Sequence, residues 1–413
     1  MSFPAPEDSK TSRVWIDGCF DFAHHGHAGA MLQARQIGKE LYVGVHSDEE
    51  ILHNKGPTVM NLAERLSAVQ ACKWCTLPIG DAPYVTDPEF MDGFDCKYAV
   101  HGDDITTDAN GEDCYKIVKD LGRFVVVKRT PSISTTDLVG RMLLMTKDHH
   151  LKTIDSKSYE SFEKNVDDDY CHPLLTAESV ERYNQYATDQ SGLNPGSDVF
   201  VNLADSGDLK HFVKGTTVSS NFSFSSIYYL SGTFDLFHPG HIELLKSVHS
   251  LALENNAKVV VGVLDDYTAS KYKGLNYPIM SLFERSLCVL QCRYVDSMVL
   301  GAPYINTKSY FSKLKATFGV DEIKVFHGPT IEIEFETQDN SAEPSDKNDV
   351  YRLERELGIL QTVGAHKFDN ITTESIVGRI LDNRKAYEER QRKKGWKGEK
   401  EKKMEKEEKS KGG

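Results

Sequence analysis

The chain of 413 residues has no apolar run near the roughly 18 residues that are needed to span a bilayer. The stretch from Met1 to Thr11 has neither an apolar core nor a basic flank, which predicts no secretory signal. The 49 Lys and Arg residues are outnumbered by 62 Asp and Glu, and the formal net charge of −13 argues against a general nucleic-acid partner. These absences predict a cytoplasmic protein without a transmembrane segment.

The eight cysteines form no framework of the kind found in disulfide-rich domains. Cys72 and Cys75 have the spacing of half a zinc site, but no second Cys-x-x-Cys completes it. We therefore expect buried free thiols in a reducing compartment, and no metal site.

A repeated histidine signature is the most informative feature that the chain does contain. The first copy, Gly18 to His27, reads Gly-Cys-Phe-Asp-Phe-Ala-His-His-Gly-His, and the second, Gly232 to His241, reads Gly-Thr-Phe-Asp-Leu-Phe-His-Pro-Gly-His. Each copy follows an apolar run and precedes a helix-like stretch. A helix N-terminus offers free N–H groups and partial positive charge, and imidazoles add further donors. The pattern therefore indicates phosphate binding in a nucleotide site.

The similarity between the two halves extends beyond this signature. A strand-like run from Leu41 to Val45 matches Val259 to Val263. Four further segments of the first half have counterparts in the second. Lys55-Gly56 matches Lys273-Gly274, and Asn61 to Arg65 matches Ser281 to Arg285, each with a predicted capping box. His101-Gly102 matches His327-Gly328, and Ile133 to Thr136 matches Ile371 to Glu374. Short β-branched runs alternate with helical patterns, which predicts an α/β fold with parallel sheets. Ligands bind such sheets at the carboxyl ends of the strands.

Composition divides the chain into four predicted parts. Residues 12–146 and 226–386 are two similar domains, and residues 387–413 form a charged tail. Residues 147–225 are rich in Asp, Ser, Asn and Gly, which predicts a connector with a helix from Ala177 to Tyr186 and little core of its own. Beyond Tyr387 the only large apolar residues are Trp396 and Met404, so the tail is expected to be solvated rather than to bind membranes or bury apolar area.

Several motifs together resemble those of the cytidylyltransferases of phospholipid synthesis. They are Gly18 to His27, Asn54 to Pro57, Val59 to Asn61, Glu64-Arg65, His101 to Thr106, and Arg129-Thr130 with Ile133 to Asp137. The resemblance covers both repeats and implies two tandem Rossmann-like nucleotidyltransferase domains. The tandem arrangement, the His101-Gly102 pair and the absence of an amphipathic membrane helix favour the ethanolamine-phosphate members over the choline-phosphate members. CTP and phosphoethanolamine are then the implied substrates.

The resemblance also implies roles for individual residues of the first repeat. A phosphomonoester is already a nucleophile, so no covalent intermediate is needed and the residues position phosphates and stabilise charge. His24 and His27 are assigned to the α-phosphate, Lys55 to a substrate phosphate, and Arg129, Ser134 and Thr135 to the β- and γ-phosphates. Further nucleotide-binding candidates are Gly18, Cys19, Phe20, Gly26, Thr130 and Ile133. Mg²⁺ is expected to arrive with CTP.

The acidic residues near these motifs leave alternatives open. Asp103 and Asp104 are candidates for the ammonium of phosphoethanolamine or the ribose hydroxyls, with ordinary loop capping as the alternative. Asp21 and Asp235 are expected to be structural and to accept from backbone N–H groups of the turn. One departure from the resemblance is Ser132, which stands where a glycine is usual.

The second repeat keeps part of this set and loses part. Its candidate nucleotide-binding residues are Gly232, Thr233, Phe234, His238, Gly240, His241, Lys273, His327, Gly328, Ile371, Thr372 and Thr373. The losses are Lys367-Phe368 for Arg129-Thr130, Pro329-Thr330 for Asp103-Asp104, and Glu374 for Thr136. We expect this domain to hold a cytidine nucleotide without catalysing.

Three alternative functions remain at this point. The acceptor could be phosphocholine or glycerol phosphate, and both domains could be non-catalytic nucleotide sensors. An aminoacyl-tRNA synthetase also uses this histidine signature, but its Lys-Met-Ser-Lys loop is matched only by Lys403 to Lys406 in the charged tail. The oligomeric state is open, with a homodimer as one alternative.

Overall fold

The computed structural model describes residues 5–104, 106–131, 133–218, 224–274, 276–329, 349–390 and 392. Ser132, Thr330 and the tail residues Trp396 and Met404 lie outside these ranges, so the expectations that concern them are not addressed below.

The first repeat is built on a five-stranded parallel sheet. Its strands are β1 (Arg13–Gly18), β2 (Glu40–His46), β3 (Leu77–Ala82), β4 (Cys96–Gly102) and β5 (Phe124–Val127). The order is β3-β2-β1-β4-β5, with every neighbouring pair parallel. Such a sheet is covered on both faces, which explains why apolar runs such as the one around Val43 are buried.

Six helices accompany this sheet. They are α1 (His25–Ile37), α2 (Asp48–Asn54), α3 (Leu62–Ala71), α4 (Pro88–Asp92), α5 (Lys116–Asp120) and α6 (Thr135–Leu144). Short 3₁₀ turns occupy Glu7–Thr11 and Asp21–Ala23. The predicted capping box of Asn61 and Glu64 is present at the start of α3. The α1 helix begins at His25, three residues before the helical pattern from Ala28, because His24 caps it.

The second repeat forms a larger sheet with the same central order. Its strands are β6 (Asp198–Asn202), β7 (Leu209–Val213), β8 (Ser226–Gly232), β9 (Ala257–Val263), β10 (Ser297–Leu300), β11 (Glu322–His327) and β12 (Leu360–Thr362). The order is β12-β11-β8-β9-β10-β6-β7. Only the pairing of β6 with β7 is antiparallel within this sheet. The predicted α/β class with parallel sheets is confirmed.

The remaining helices are distributed over the segment between the repeats and the second repeat. They are α7 (Ser156–Lys164), α8 (Ala177–Tyr186), α9 (Pro239–Glu254), α10 (Asp266–Lys273), α11 (Leu282–Leu290), α12 (Lys308–Phe318), α13 (Arg352–Glu356) and α14 (Thr373–Asp382). In the described part of the chain, no helix combines the length and the apolar character that crossing a membrane requires.

The segment at 147–225 contributes more to the core than its composition suggests. It supplies β6 and β7 to the second sheet, and β6 pairs with β10 in parallel register. The α8 helix has the predicted bounds, and its Tyr183 and Tyr186 are fully buried. Tyr183 exchanges a hydrogen bond with Ser286 of α11, and the Tyr186 hydroxyl donates to the His25 carbonyl. This segment therefore packs against both repeats, whereas the limits proposed for the four parts stay predictions.

Two reciprocal ion pairs join the repeats. Arg141 of α6 forms a bidentate pair with Glu284 at 2.7 and 2.9 Å, and Arg379 of α14 forms the same pair with Glu64 at 2.7 and 2.9 Å. Each arginine belongs to the last helix of one repeat, and each glutamate caps a helix of the other. The repeats are thus related by an approximate twofold arrangement within one chain.

Candidate active site

The two histidines of the first signature lie at the start of α1 with their rings stacked. The Nδ1 atom of His24 accepts a hydrogen bond from the Gly26 amide at 3.1 Å. Because Nδ1 accepts, the neutral ring carries its proton on Nε2, which is then a donor. The ring of His27 stacks on that of His24 with centroids 3.9 Å apart. The pair lies at the N-terminus of α1, where the partial positive charge of the helix suits a phosphate.

Close packing explains the glycine of this signature. A Cβ at Gly26 would lie 2.7 Å from Cγ2 of Ile133 and 2.9 Å from Nδ1 of His24. The glycine thus allows the loop before α6 to approach the start of α1.

A second local feature is strained backbone just after β1. Phe20 has a φ of 53° and its counterpart Phe234 a φ of 51°, both in the left-handed region that bulky residues rarely adopt. Both repeats retain this conformation at the turn that leads from the first strand to the histidines. Such strain persists where the surrounding structure fixes it, as at ligand sites.

The lysine loop, defined here as residues 55–60, connects α2 towards α3 next to this turn. The carboxylate of Asp21 accepts hydrogen bonds from the backbone N–H groups of Val59 and Met60, each at 3.0 Å. Asp21 therefore has the structural role predicted for it, although the amides belong to the lysine loop rather than to its own turn. Asp235 contacts Ile279 and Met280 in the same way.

Lys55 lies between Cys19 and an aromatic ring. Its Nζ is 3.8 Å from Sγ of Cys19 and 5.5 Å from the ring centroid of Tyr84. Burial disfavours the ammonium form, but Cys19 and Tyr84 outweigh it and raise the pKa of Lys55 above its ordinary value. Lys55 is therefore positively charged at neutral pH and suited to a phosphate.

Arg129 follows β5, at the same sheet edge as the end of β1. Its backbone N–H donates to Asp103 at 3.1 Å, and its guanidinium pairs with Asp104 at 3.1 Å, with both side chains about half exposed. A Cβ at Gly102 would lie 2.8 Å from Oδ1 of Asp104, which explains the small residue there. Both carboxylates contact Arg129, as the loop-capping alternative expects, and a substrate contact for either stays a prediction.

The N-terminus of α6 lies close to the turn between β1 and α1, residues 19–24, which is called the histidine turn below. Ser134 caps the helix, since its Oγ accepts from the Asp137 amide at 3.1 Å and donates to the Asp137 carboxylate at 2.7 Å. The hydroxyl of Thr135 donates to the Asp21 carbonyl at 3.5 Å. Thr130 is buried against Gly29, where a Cβ would lie 2.4 Å from the threonine Oγ1. A second helix N-terminus is thus available for an anion.

Arg65 has a structural role that the sequence-based prediction missed. Its fully buried guanidinium donates to the carbonyls of Cys19, His46 and Met60 at 2.7, 2.8 and 3.1 Å, and it pairs with Asp48 at 2.7 Å. It therefore joins the histidine turn, the end of β2 and the lysine loop. The sequence could have indicated this role, because an arginine occupies the matched position, Arg285, of the second repeat. Arg285 makes the same four kinds of contact there.

Asp17 was also missed, although a carboxylate within an apolar strand is a visible signal. It is buried at the end of β1 and accepts hydrogen bonds from Trp15, Thr86 and Tyr115 at 2.8, 2.7 and 2.6 Å. All three donors are uncharged side chains. The network ends beside His101, whose ring centroid is 4.5 Å from that of Tyr115.

The second histidine signature has the same stacked arrangement of its two rings. The rings of His238 and His241 stack with centroids 3.7 Å apart. Burial, with Lys273 nearby, lowers the pKa of His238 to about 3. Burial also holds the pKa of His241 well below its ordinary value, with His238 and Lys273 as further causes. Both rings are therefore neutral at physiological pH.

The other candidate residues of the second repeat are already engaged within the protein. Lys273 lies 3.9 Å from the carboxylate of Glu374, which stands where the first repeat has Thr136. Lys367, in place of Arg129, is exposed and lies 3.8 Å from Glu243.

The last candidates of the second repeat contact one another or the turn after β8. Thr373 donates to the Asp235 carbonyl at 3.0 Å, and Thr372 caps α14. Nδ1 of His327 lies 2.7 Å from the Gly328 carbonyl. The remaining candidates lie in the turn after β8 or next to it. Gly232 is the last residue of β8, and the Thr233 carbonyl accepts a hydrogen bond from Arg285. A Cβ at Gly240 would lie 2.5 Å from the Ile371 carbonyl oxygen.

Among the described residues, no group of three or more His, Cys, Asp and Glu side chains is placed to hold a metal ion. All eight cysteines are free thiols, and Cys72 and Cys75 are buried where the repeats meet. The backbone of Cys72 forms an isolated antiparallel β-bridge with the backbone of Cys292.

Comparison with known proteins finds the same fold family in both halves. The family described as cytidylyltransferase-like matches residues 15–141 and 229–373. The ethanolamine-phosphate cytidylyltransferase of Dictyostelium discoideum is 41% identical over 94% of this chain and 95% of its own length. The mouse protein of the same name is 39% identical over 94% of this chain and 90% of its own length.

The similarity to a choline-phosphate enzyme is confined to one repeat. Choline-phosphate cytidylyltransferase A of mouse is 42% identical, but over only 32% of this chain and 36% of its own length. Only the ethanolamine-phosphate proteins among these relatives match both repeats and the segment between them. The chain belongs to the ethanolamine-phosphate cytidylyltransferase family.

Proposed function

We propose that this chain transfers the cytidylyl group of CTP to phosphoethanolamine, giving CDP-ethanolamine and pyrophosphate for phosphatidylethanolamine synthesis. The observation that carries the proposal is the first-repeat site, where stacked imidazoles, a charged lysine and two helix N-termini lie at one sheet edge. Each of these groups favours phosphate oxygens.

The chemistry needs no activated side-chain nucleophile. A phosphate oxygen of phosphoethanolamine forms a bond to the α-phosphorus of CTP. The bond between that phosphorus and the oxygen that bridges the α- and β-phosphates breaks, and pyrophosphate leaves with the electron pair of this bond. The site therefore acts by alignment and by stabilising charge on the transferring group. We assign this stabilisation to His24 through Nε2–H, to His27, and to Lys55.

The leaving pyrophosphate would be bound by the loop and helix that follow β5. Arg129 is half exposed and paired only at its edge with Asp104, so a phosphate can compete for its guanidinium. Ser134 and Thr135 place hydroxyl and backbone donors at the start of α6. The described residues show no ligand cluster for a resident metal, so we propose that Mg²⁺ enters as part of the Mg²⁺–CTP substrate.

For the ammonium of the acceptor we propose Asp17 in addition to the predicted Asp103 and Asp104. The donors to Asp17 are the uncharged side chains of Trp15, Thr86 and Tyr115, whereas Asp103 and Asp104 both contact Arg129. Asp17→Asn should raise KM for phosphoethanolamine while leaving KM for CTP nearly unchanged. An equal rise in both values would contradict this assignment.

The function is tested by pyrophosphate release from CTP with phosphoethanolamine, phosphocholine or glycerol phosphate as acceptor. We expect the highest kcat/KM with phosphoethanolamine. A preference for phosphocholine or glycerol phosphate would change the acceptor, and no release with any of them would favour a nucleotide sensor without catalysis.

We propose that the second repeat holds a nucleotide or serves structure without turnover, which is supported by the Lys273–Glu374 contact and the exposed Lys367. A cytoplasmic location is supported by the free thiols. A homodimer stays a prediction, which light scattering on the purified chain measures.

A further inference from the structure

Side chains from the end of the second repeat and from the chain after it contact the lysine loop of the first. Three consecutive carbonyl oxygens of this loop accept hydrogen bonds from a C-terminal segment, defined here as residues 379–390. The pairs are Arg379 with Val59 at 3.1 Å, Tyr387 with Thr58 at 2.9 Å, and Arg390 with Pro57 at 2.5 Å. The predicted charged tail therefore begins with residues that are packed against the first domain.

Burial shows that these contacts are not incidental. Tyr387 is only 3% exposed, which corrects the expectation that the chain from this residue onward buries little. The side chain of Arg390 is 16% exposed, and its aliphatic carbons pass within 3.5 Å of the position of a Cβ at Gly56, which has a φ of 98°. A side chain at position 56 would meet unfavourable backbone geometry, whereas the Arg390 carbons lie at ordinary van der Waals distance.

The lysine loop is thus fixed from two sides. Asp21 binds the amides of Val59 and Met60, and the C-terminal segment binds the carbonyls before them. The guanidinium of Arg390 lies 3.7 Å from the Asp21 carboxylate, so the two sets of contacts meet. Tyr387 and Arg390 both bind backbone carbonyls of the loop that carries Lys55.

The second lysine loop, defined here as residues 276–280 after Lys273, is contacted in the equivalent way by side chains of α6 and of the chain that follows it. Arg141 donates to the Ile279 carbonyl at 3.2 Å. The Nε2 atoms of His149 and His150 lie 3.0 and 2.9 Å from the Pro278 carbonyl. The same crossed arrangement occurs in both directions, which marks it as a property of the architecture.

We propose that Tyr387 and Arg390 are positioning residues of the first site, which hold the lysine loop so that Lys55 meets the substrate phosphates. The inference rests on the proposed function only for the role of Lys55. It predicts that a site at one end of the chain depends on side chains near the other end.

The kinetic test compares Arg390→Ala and Tyr387→Phe with wild type and with Arg384→Ala. Arg384 is a matched control, because it lies in the same segment but contacts only Glu388 at the surface. We expect Arg390→Ala to lower kcat/KM by about 10- to 100-fold through misplacement of Lys55. Tyr387→Phe, which keeps the ring, should have a smaller effect, and Arg390→Lys should restore part of the loss. Equal values for Arg390→Ala and Arg384→Ala would overturn the proposal.

A double-mutant cycle separates positioning from general stabilisation. If Arg390 acts through Lys55, Arg390→Ala should cause little further loss in a Lys55→Ala background. Losses that multiply would show that Arg390 acts independently of Lys55, and would refute the mechanism.

Hydrogen exchange tests the same idea without any reaction. The amides of Val59 and Met60 are bonded to Asp21, so their protection reports the order of the lysine loop. In the Tyr387→Phe/Arg390→Ala double variant we expect faster exchange in residues 55–62 but unchanged exchange in β1 and β2. Unchanged exchange in the loop overturns the proposal. If wild type instead shows loop protection but releases no pyrophosphate with any acceptor, the proposed function fails while the contact remains supported.

Discussion

Replacing Arg65 by methionine removes a buried guanidinium at the centre of the first site. The substitution keeps an unbranched side chain of similar length but deletes four hydrogen bonds. Three carbonyls, those of Cys19, His46 and Met60, then lose a donor in a region that water barely reaches. The first and last of these carbonyls belong to the histidine turn and the lysine loop.

The size of the effect follows from these contacts. Each buried acceptor left without a partner costs about 1–3 kcal/mol, and breaking a buried ion pair by removing one partner costs about 3–5 kcal/mol. Because Asp48 is partly exposed and can be hydrated, the ion pair adds little to the roughly 3–9 kcal/mol of the three carbonyls, and we expect a loss at the lower end of that range, about 3–5 kcal/mol, in the free energy of unfolding. At about 2–4 °C per kcal/mol for a domain of this size, Tm should fall by about 6–20 °C.

Arg285→Met provides the matched control. Arg285 is equally buried and contacts the carbonyls of Thr233, Leu264 and Met280 together with Asp266. Because Asp266 is fully buried whereas Asp48 is partly exposed, Arg285→Met should lower Tm at least as much as Arg65→Met in thermal unfolding followed by circular dichroism. In pyrophosphate-release assays run well below both transitions, only Arg65→Met should raise KM for CTP and lower kcat.

Two results would refute this reasoning. An unchanged Tm for Arg65→Met would show that the carbonyls find other donors, so that the hydrogen-bond count does not measure the contribution. A loss of kcat in Arg285→Met as large as that in Arg65→Met would show that the second repeat takes part in the chemistry.

Three further predictions concern the histidines, the interface between repeats and the signature glycine. His27→Ala should lower kcat by about 10²–10³-fold, or roughly 3–4 kcal/mol, in steady-state pyrophosphate release, whereas His241→Ala should retain most turnover; a fewfold effect for His27→Ala would contradict its assignment. Burial opposes ionisation of Glu284, but the bidentate contact with Arg141 outweighs it and lowers the pKa of this carboxyl below 4.5. The pair therefore stabilises the fold above the ordinary pKa and loses its effect as pH falls through the lowered value, so the Tm difference between wild type and Glu284→Gln should be large at pH 7 and shrink at acid pH; a constant difference would disprove the linkage. Gly26→Ala should reduce both Tm and kcat/KM, because its Cβ would lie 2.7 Å from Ile133, and wild-type values for both would show that the loop before α6 can move away.

The repeat explains why much of the fold could be predicted from the sequence. The motifs of each half independently predict where strands run, where helices begin and which edge of the sheet binds the ligand. A wrong prediction in one half therefore disagrees with the matched segment of the other. The capping boxes at Asn61 and Ser281 are local patterns of four residues, and both are present. Local chemistry of this kind depends little on the rest of the chain.

The contacts that were not predicted all join residues distant in sequence. The β6 strand has only three apolar residues in a row, within a polar segment, and its pairing with β10 makes it part of the sheet. The sequence around Tyr387 predicts the start of a solvated tail, but the Tyr387 hydroxyl donates a hydrogen bond to the carbonyl of Thr58, which lies 329 positions earlier in the chain. The contacts of Asp103 and Asp104 with Arg129 likewise depend on the meeting of two strand ends.

The two reciprocal ion pairs allow the dependence of one repeat on the other to be measured. Arg379 contacts Glu64 and the lysine loop of the first site, while Arg141 contacts Glu284 and the second lysine loop. Glu64 is buried, but Arg379 is one-third exposed, so Arg379→Ala should cost about 1–3 kcal/mol rather than the ~3–5 of a fully buried pair. We expect a fall in Tm for both Arg379→Ala and Arg141→Ala, measured by thermal unfolding and larger for the less exposed Arg141, but a loss of kcat/KM mainly for Arg379→Ala. A greater loss of activity in Arg141→Ala would mean that the catalytic lysine loop is the second one, and the assignment of the two sites would have to be reversed.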